Sequence, residues 1–322
     1  MLLANHEIKN LIAKRVIVEC DHEPGEFISP IFTVPKKDEN VRLILNLKKL
    51  NVHSKTFHFK MENISTILEL VTANCWMASL ELKYAYYSVK VDPQYQKYLK
   101  FTYHGTMYKY AALPNGLSIC TRNFTKLMKP PLAKIRAINH ILSGYIVDFY
   151  LQESSYCCCA RDVIDTVMTF DTLGFVIHPE KSKPIPKQEL TILGFVINSI
   201  TMTVRLTEEK RVKIKPILKC TVEHSCNIQI IQLAKVIGYF VSGLPGVQYG
   251  ALYYRYLEMD KESALKASKG DFDTVTAISV EGIIELKWWL NHLDINFTNL
   301  QLPPIKLTLS SDVHLKDVVL LL

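Results

Sequence analysis

Short apolar runs bounded by turn residues dominate residues 27 to 206, and apolar positions at helical spacing dominate after Thr207. Before them, Ile8, Leu11, Ile12 and Val16 predict an amphipathic helix over 1–20, weakened at its end by the β-branched Val16-Ile17-Val18. Phe27 to Val34 and Val41 to Leu47 predict a β-hairpin across the polar turn Pro35 to Asn40. Ile64 to Val71 reads as a short helix. Cys75 to Lys90 alternates in its first half, placing Glu81 inside a strand, and turns into a helix or bulge from Lys83. Leu99–Tyr103 and Thr106–Ala112 form a second hairpin about His104-Gly105. The loop Leu113 to Ser118 leads into a helix over about Arg122 to Ala137, which Pro130-Pro131 should break or kink.

A third hairpin is centred on Gly144 to Tyr150. Asp162 to Leu173 is helical, with Val163, Val167 and Phe170 on one face. Gly174–Ile177 and Leu190–Asn198 are strands, the latter pairing with Thr201–Leu206 across Ser199-Ile200. Thr207-Glu208-Glu209 has the make-up of a helix cap with acids in the first turn. Helical spacing then runs to about Leu257 with a break at Gly243 to Gly246, and Ile283 to Leu293 is a final helix carrying Trp288 and Trp289. Leu307 to Ser310 starts one more strand before Asp312. The pattern predicts an α+β core over 27–206, a helical region over 207–293, a lead-in over 1–26 and a fragment over 294–322.

Composition supports a buried core: 322 residues, 48% of them hydrophobic, enough for two or three domains or subdomains. Lys plus Arg is 38 against 31 Asp plus Glu, a net +7 compatible with a polyanionic partner. The eight cysteines lack metal-ligand spacing, and the adjacent Cys157-Cys158-Cys159 excludes a spaced-pair zinc site; all eight read as free thiols in a reducing compartment. Polar residues follow Met1-Leu2-Leu3 at once, unlike a signal peptide, and no apolar run is long enough to span a membrane. The run Val318 to Leu322 reads as an element cut off midway.

Four features carry candidate chemistry. Asp148 lies inside the apolar, aromatic run Gly144-Tyr145-Ile146-Val147-Asp148-Phe149-Tyr150, where an unpaired carboxylate is expensive to bury. It is either a strand-end or turn Asp or a metal-binding acid at a hairpin tip. Glu81, alone in its strand, is by itself an ordinary surface acid. The window Lys36 to Lys60 holds Lys36, Lys37, Arg42, Lys48, Lys49, Lys55 and Lys60 against Asp38 and Glu39, a local +5 suited either to phosphates or simply to water. The helix after the Leu113–Ser118 loop carries Arg122, Lys126, Lys129, Lys134 and Arg136 with no acid from Cys120 to Ala137, and the same two readings apply. Trp288 and Trp289 read as core or interface packing rather than a base-stacking platform.

In order, these stretches resemble the reverse transcriptase of retrotransposons, an RNA-directed DNA polymerase. Ser29 to Asp38 with Arg42 to Asn51 looks like the fingers hairpin, and Leu113-Pro114-Asn115-Gly116-Leu117-Ser118 like the nucleotide-facing loop. Tyr145-Ile146-Val147-Asp148 stands where the family has Tyr-Xaa-Asp-Asp. Gly174 to Lys181 and Leu193-Gly194-Phe195 follow as the palm lysine element and the primer grip. The wording of the loop and of His178-Pro179-Glu180-Lys181-Ser182 is most similar to the DIRS group, whose elements integrate through a tyrosine recombinase.

The resemblance implies a right-hand polymerase with fingers, an antiparallel-sheet palm and a helical thumb. It also implies an intracellular setting, cytoplasm or nucleus, and partners comprising an RNA template, a DNA primer and deoxynucleoside triphosphates, with no membrane; a recombinase or capsid-like protein of the element could join them. The implied cofactor is a pair of Mg2+ ions held by oxygen ligands. Glu81 and Asp148 then match two of three metal acids, and Val147 stands in the place of the third. Lys36, Lys37 and Arg42 match cations that clamp the triphosphate, Tyr86 the aromatic gate against the ribose 2′-hydroxyl, and Asn115 the amide near the nucleotide. Lys181 matches a proton donor to the leaving pyrophosphate. Asp312 matches the first acid of a ribonuclease H-like domain, of which the chain holds too little for that activity.

The departures fall on the chemistry. Val147 cannot ligate a metal, Glu81 is one methylene longer than Asp, Tyr84 replaces an acid, and Ile119-Cys120-Thr121 replaces Ser-Ala-Pro. The expectation is an impaired copy. A working polymerase, a non-catalytic fold that binds RNA–DNA hybrid, and a remnant without biochemical role all stand open.

Overall fold

The structure, a computed structural model, describes residues 2–35, 41–55, 57–301, 310–314 and 317–321. Lys36, Lys37 and most of the turn they occupy lie outside the described residues. The chain divides into two compact units, Met1–Leu193 and Gly194–Leu322.

In the first unit the N-terminal helix is shorter than the apolar spacing predicts, ending at Ala13. Arg15 takes a φ of 55°, and the β-branched run becomes the strand Ile17–Glu19, which pairs antiparallel with Thr106–Tyr110. Local stiffness won once a partner edge was at hand. The predicted hairpin about His104-Gly105 forms, both turn residues having positive φ (49° and 82°) as a primed turn requires. Ile31–Pro35 and Val41–Leu45 pair in register, but Phe27 to Pro30 stays outside the strand and Ile28 makes an isolated parallel bridge to Lys100. The acidic lead-in is pinned here: the fully buried Lys100 donates from Nζ to the Asp21 carbonyl and Glu26, and pairs with Glu23. One apolar cluster, including Leu11, Ile17, Leu45, Phe101 and Tyr110, fills this part.

The central sheet has Trp76–Lys83 in its interior, with Asp148–Glu153 and then Ile141–Tyr145 on one side and Lys183–Lys187 on the other; Val176–Ile177 also pairs with the Trp76–Lys83 strand. Helices Cys120–Ala137 and Tyr156–Thr172 pack on it over a core of Leu80, Phe124, Leu132, Phe149, Leu151 and Phe170 among others. The first helix runs unbroken through Pro130 and Pro131. Its buried positions Cys120, Phe124, Met128, Leu132 and Ile135 keep helical spacing throughout, while Pro130 is exposed and Pro131 half-buried. Core packing holds the axis, and the carbonyls left without donors lie on the wet side.

In the second unit Phe195–Asn198 pairs with Thr203–Leu206, whose far edge receives Thr298–Asn299. The single strand predicted over Leu190 to Asn198 is in fact interrupted: Leu193 (φ 50°) and Gly194 (φ 79°) turn the backbone between Glu189–Ile192 and Phe195–Asn198. Thr207 caps the helix Glu208–Glu223, its hydroxyl accepting from the Lys210 amide. Helices Ile230–Gly243, Arg255–Ala267 and Val280–His292 complete the helical part. Trp289 is core, as its apolar setting predicts: it is 1% exposed, stacks on Phe240 at 4.3 Å and donates from Nε1 to the Tyr253 carbonyl. Trp288 is half-buried in a stack with Tyr253 and His292. Ser310–His314, containing Asp312, pairs with Asp317–Leu321.

Candidate active site

The hairpin that carries Asp148 is as tight as a hairpin can be. Tyr145 and Asp148 are paired across a two-residue turn, Ile146-Val147. Ile146 takes a φ of 56°, an outlier for a β-branched side chain, so the flanking strands impose the turn rather than the turn residues. Both Ile146 and Val147 pack half-buried against the core of the central sheet. The Val147 carbonyl accepts from the Leu82 amide at 2.9 Å, tying the tip to the neighbouring strand.

That strand brings the two acids together. Glu81 and Asp148 are direct partners in the antiparallel register, so their side chains share one face. Burial first, then the facing Glu81, push the Asp148 carboxyl up to about 6, while Lys181 pulls it down. Lys181 donates to Glu81 Oε1 at 2.8 Å. Backbone contacts hold the lysine there. The His178 amide donates to the Glu81 carbonyl at 2.7 Å, and the Glu81 amide donates to Ser182 Oγ at 2.9 Å, strapping the turn that bears Lys181 to Glu81 from both ends.

Beside this pair, Ala85–Ser88 forms one 3-10 turn after Tyr84, which adopts a φ of 58°. Tyr86 packs edge-on against Phe124, and its hydroxyl lies 3.2 Å from Thr121 Oγ1. Asn115 donates to the Tyr87 hydroxyl at 3.1 Å; burial pushes that phenol up to about 12. The Leu113–Ser118 loop docks through Asn51, which donates to the Gly116 carbonyl and accepts from the Ser118 amide, both at 2.9 Å. A glycine is required at 116: φ is 101°, and a Cβ would meet the Leu45 carbonyl oxygen at 3.1 Å. The substituted segment after the loop is wired in as well, Cys120 Sγ lying 3.0 Å from the Pro114 carbonyl.

The site thus gathers Glu81, Val147, Asp148 and Lys181, with Tyr86 and Asn115 on adjoining elements. Arg42 is exposed on the Val41–Leu45 strand, near enough to Tyr87 to oppose slightly the rise that burial causes. Leu193 ends the first unit. In the second, Gly194 and Phe195 are braced by Lys210, whose ammonium lies 4.4 Å from the Phe195 ring centroid and donates to the Ser242 carbonyl. Burial lowers the Lys210 pKa.

One contributor has no signal in the sequence. Glu62, in an irregular segment, accepts from the Gly144 amide and Ser143 Oγ at 2.8 Å each and from Arg136 at 2.6 Å. It anchors the strand one residue before Tyr145 and walls a cavity of about 380 Å³ under the hairpin, with Lys129, Leu132 and Phe149. Burial raises the Glu62 pKa, but the three donors outweigh it and the net shift is downward. The stabilisation is therefore full above the unfolded value near 4.3 and is lost as pH falls through the lower folded value. Glu62→Gln is expected to lower stability at neutral pH by about 1–3 kcal/mol, the difference from the parent shrinking once both are neutral. Denaturant melts across the carboxylate range check this.

An antiparallel sheet in which Glu81 faces Asp148 beside a tight hairpin is the palm arrangement of the right-hand polymerase fold. The chain belongs to the reverse transcriptase family: the family model described as reverse transcriptase (RNA-dependent DNA polymerase) matches residues 34–197. Among curated proteins, the Transposon Tf2-7 polyprotein of Schizosaccharomyces pombe is 21% identical over 169 residues, 52% of this chain and 12% of the polyprotein. The Gag-Pol polyprotein of woolly monkey sarcoma virus is 22% identical over 200 residues, 59% of this chain and 12% of that protein. The chain thus spans about an eighth of these relatives. Among solved structures, foamy viral protease-reverse transcriptase dRH in complex with double-stranded DNA has a TM-score of 0.72 at 18% identity, covering 92% of this chain and 48% of that one. Foamy viral protease-reverse transcriptase in complex with RNA/DNA hybrid has a TM-score of 0.67 at 18% identity, covering 90% of this chain and 36% of that one.

Reverse transcriptases normally use divalent metal ions, and the donor set here does not fit a two-metal centre. Val147 offers no ligand, and Glu81 is already engaged by Lys181. Among the described residues no group of three or more His, Cys, Asp and Glu side chains could hold a metal ion. All eight cysteines are free thiols. No helix among the described residues is long and apolar enough to cross a membrane.

Proposed function

We propose that this chain is a retroelement reverse transcriptase domain that retains primer–template binding and has lost efficient nucleotide addition. The observation that carries the reading is Val147 at the hairpin tip, one residue before the Asp148 that faces Glu81. Binding is supported by the helix Cys120–Ala137, on which Lys126, Lys129, Lys134 and Arg136 are all exposed, and by Arg122, whose guanidinium lies over the Phe57 ring. The complexes of the foamy viral enzymes with double-stranded DNA and RNA/DNA hybrid point to the same class of partner.

In this reading Glu81 and Asp148 are the residual metal acids, and Lys36, Lys37 and Arg42 are the cations that clamp the triphosphate. Tyr86 gates the ribose, Asn115 lies near the nucleotide, and Leu193-Gly194-Phe195 forms the primer grip. Residues 27–206 serve as fingers and palm, 207–293 as thumb, and 294–322 as the start of a ribonuclease H-like domain with Asp312. The loop wording Leu-Pro-Asn-Gly-Leu-Ser favours a DIRS-type element.

Binding to an RNA–DNA hybrid and primer extension, run together, test the reading. The expected result is hybrid binding whose affinity falls steeply with salt, with extension at or near background. Replacing Lys126, Lys129 and Lys134 with Gln should weaken binding at least tenfold and flatten the salt slope by about one unit per lost phosphate contact. Ordinary extension would overturn the assignment of Val147; absence of binding even at low salt would favour a remnant without biochemical role.

A further inference from the structure

We propose that Lys181 is the resident cation of this site: its ammonium holds the place of a divalent ion beside Glu81 and Asp148, and removing it opens a single divalent-cation site. The inference deepens the reading of the carboxylate pair given above. Two acids facing each other across a sheet repel unless a positive charge lies between or beside them. Here that charge is Lys181 Nζ, 2.8 Å from Glu81 Oε1.

The ammonium is more than half exposed, and a free surface ion pair would be weak. What distinguishes this one is its tether. The turn Pro179 to Lys181 is strapped to the two sides of the Glu81 peptide, by the His178 amide to the Glu81 carbonyl and by the Glu81 amide to Ser182 Oγ. The strap is closed on itself by the Ser182 amide donating to the His178 carbonyl at 3.1 Å. The lysine is thus held at an effective concentration on the order of millimolar or more. A site of two carboxylates, with a valine where a third would be, binds a hard divalent ion only weakly, because it supplies few of the oxygens such an ion needs. A tethered ammonium therefore wins over a free ion at ordinary concentrations. No bond forms or breaks; one cation excludes another.

The test uses the protein alone, without nucleic acid, so failure of hybrid binding leaves it unaffected. Mn2+ serves as the probe, with bound ion counted by electron paramagnetic resonance and melting followed with and without the ion. The parent chain is expected to bind no Mn2+ at the pair and to melt at an unchanged temperature. Lys181→Met should bind one Mn2+ at least tenfold more tightly than the parent and gain thermal stability from it. Lys181→Met with Asp148→Asn should lose that site, and Lys181→Arg, which keeps the charge, should behave as the parent. The proposal is overturned if the parent already binds Mn2+ as tightly as Lys181→Met, if Lys181→Met gains no site, or if the gained site survives Asp148→Asn.

Discussion

Primer extension on an RNA template by the double substitution Val147→Asp, Glu81→Asp is expected to exceed that of the parent chain by about 10³-fold or more. Restoring a ligand that stabilises developing charge in a reacting centre is worth several kcal/mol, and each 1.4 kcal/mol is about tenfold in rate. The scaffold is ready for it. The Val147 carbonyl is tied to the Leu82 amide, so its backbone does not depend on the side chain. Glu81 and Asp148 already share a face in register. Shortening Glu81 to Asp removes one methylene and draws the carboxylate away from Lys181. Val147→Asp alone should recover a smaller part, because the longer Glu81 remains. If neither variant extends while hybrid binding persists, the damage lies beyond the acids. The segment Ile119 to Thr121 is then the place to look, because Thr121 contacts the Tyr86 hydroxyl and Cys120 contacts the loop at Pro114.

Trp289→Ala is expected to be the most destabilising single truncation in the second unit, by about 3–5 kcal/mol. The indole is 1% exposed and lies nearly parallel to Phe240, with ring planes 9° apart. It also contacts the neighbouring backbone closely: a Cβ added at Gly250 would meet its ring at 2.9 Å. Removal leaves a large cavity and strips the Tyr253 carbonyl of the Nε1 donor at 2.8 Å. Trp289→Phe keeps the stack with Phe240 but not the hydrogen bond, and should lose roughly a third to a half as much. Denaturant melts of the two variants separate the terms, and a Trp289→Ala effect below about 1 kcal/mol would contradict the packing described.

Local chemistry made much of this fold legible. Thr207 reads as a cap because its hydroxyl and the two acids after it satisfy needs internal to one helix turn. Glu81 reads as a strand residue because apolar alternation surrounds it. What stayed hidden depends on distant partners. The strand Ile17–Glu19 exists because Tyr110, far along the chain, offers an edge. The helix Arg255–Ala267 buries only Leu257 in its interior, too little apolar periodicity to announce itself. Of the candidate site, the two acids and the lysine were visible as residue types in an ordered series of motifs. The Glu62 anchor was not, because an acid in an irregular segment carries no pattern and its partners at Ser143 and Gly144 lie some eighty positions away.

The left-handed Ile146 at the hairpin tip bears on how such a protein ages. Because the strands, and not the two turn residues, dictate the bend, the tip carries almost no instruction for folding. Val147 adds a half-buried apolar side chain to the sheet's core. On the reading proposed above, a check on folding alone would therefore not register which residue stands at 147.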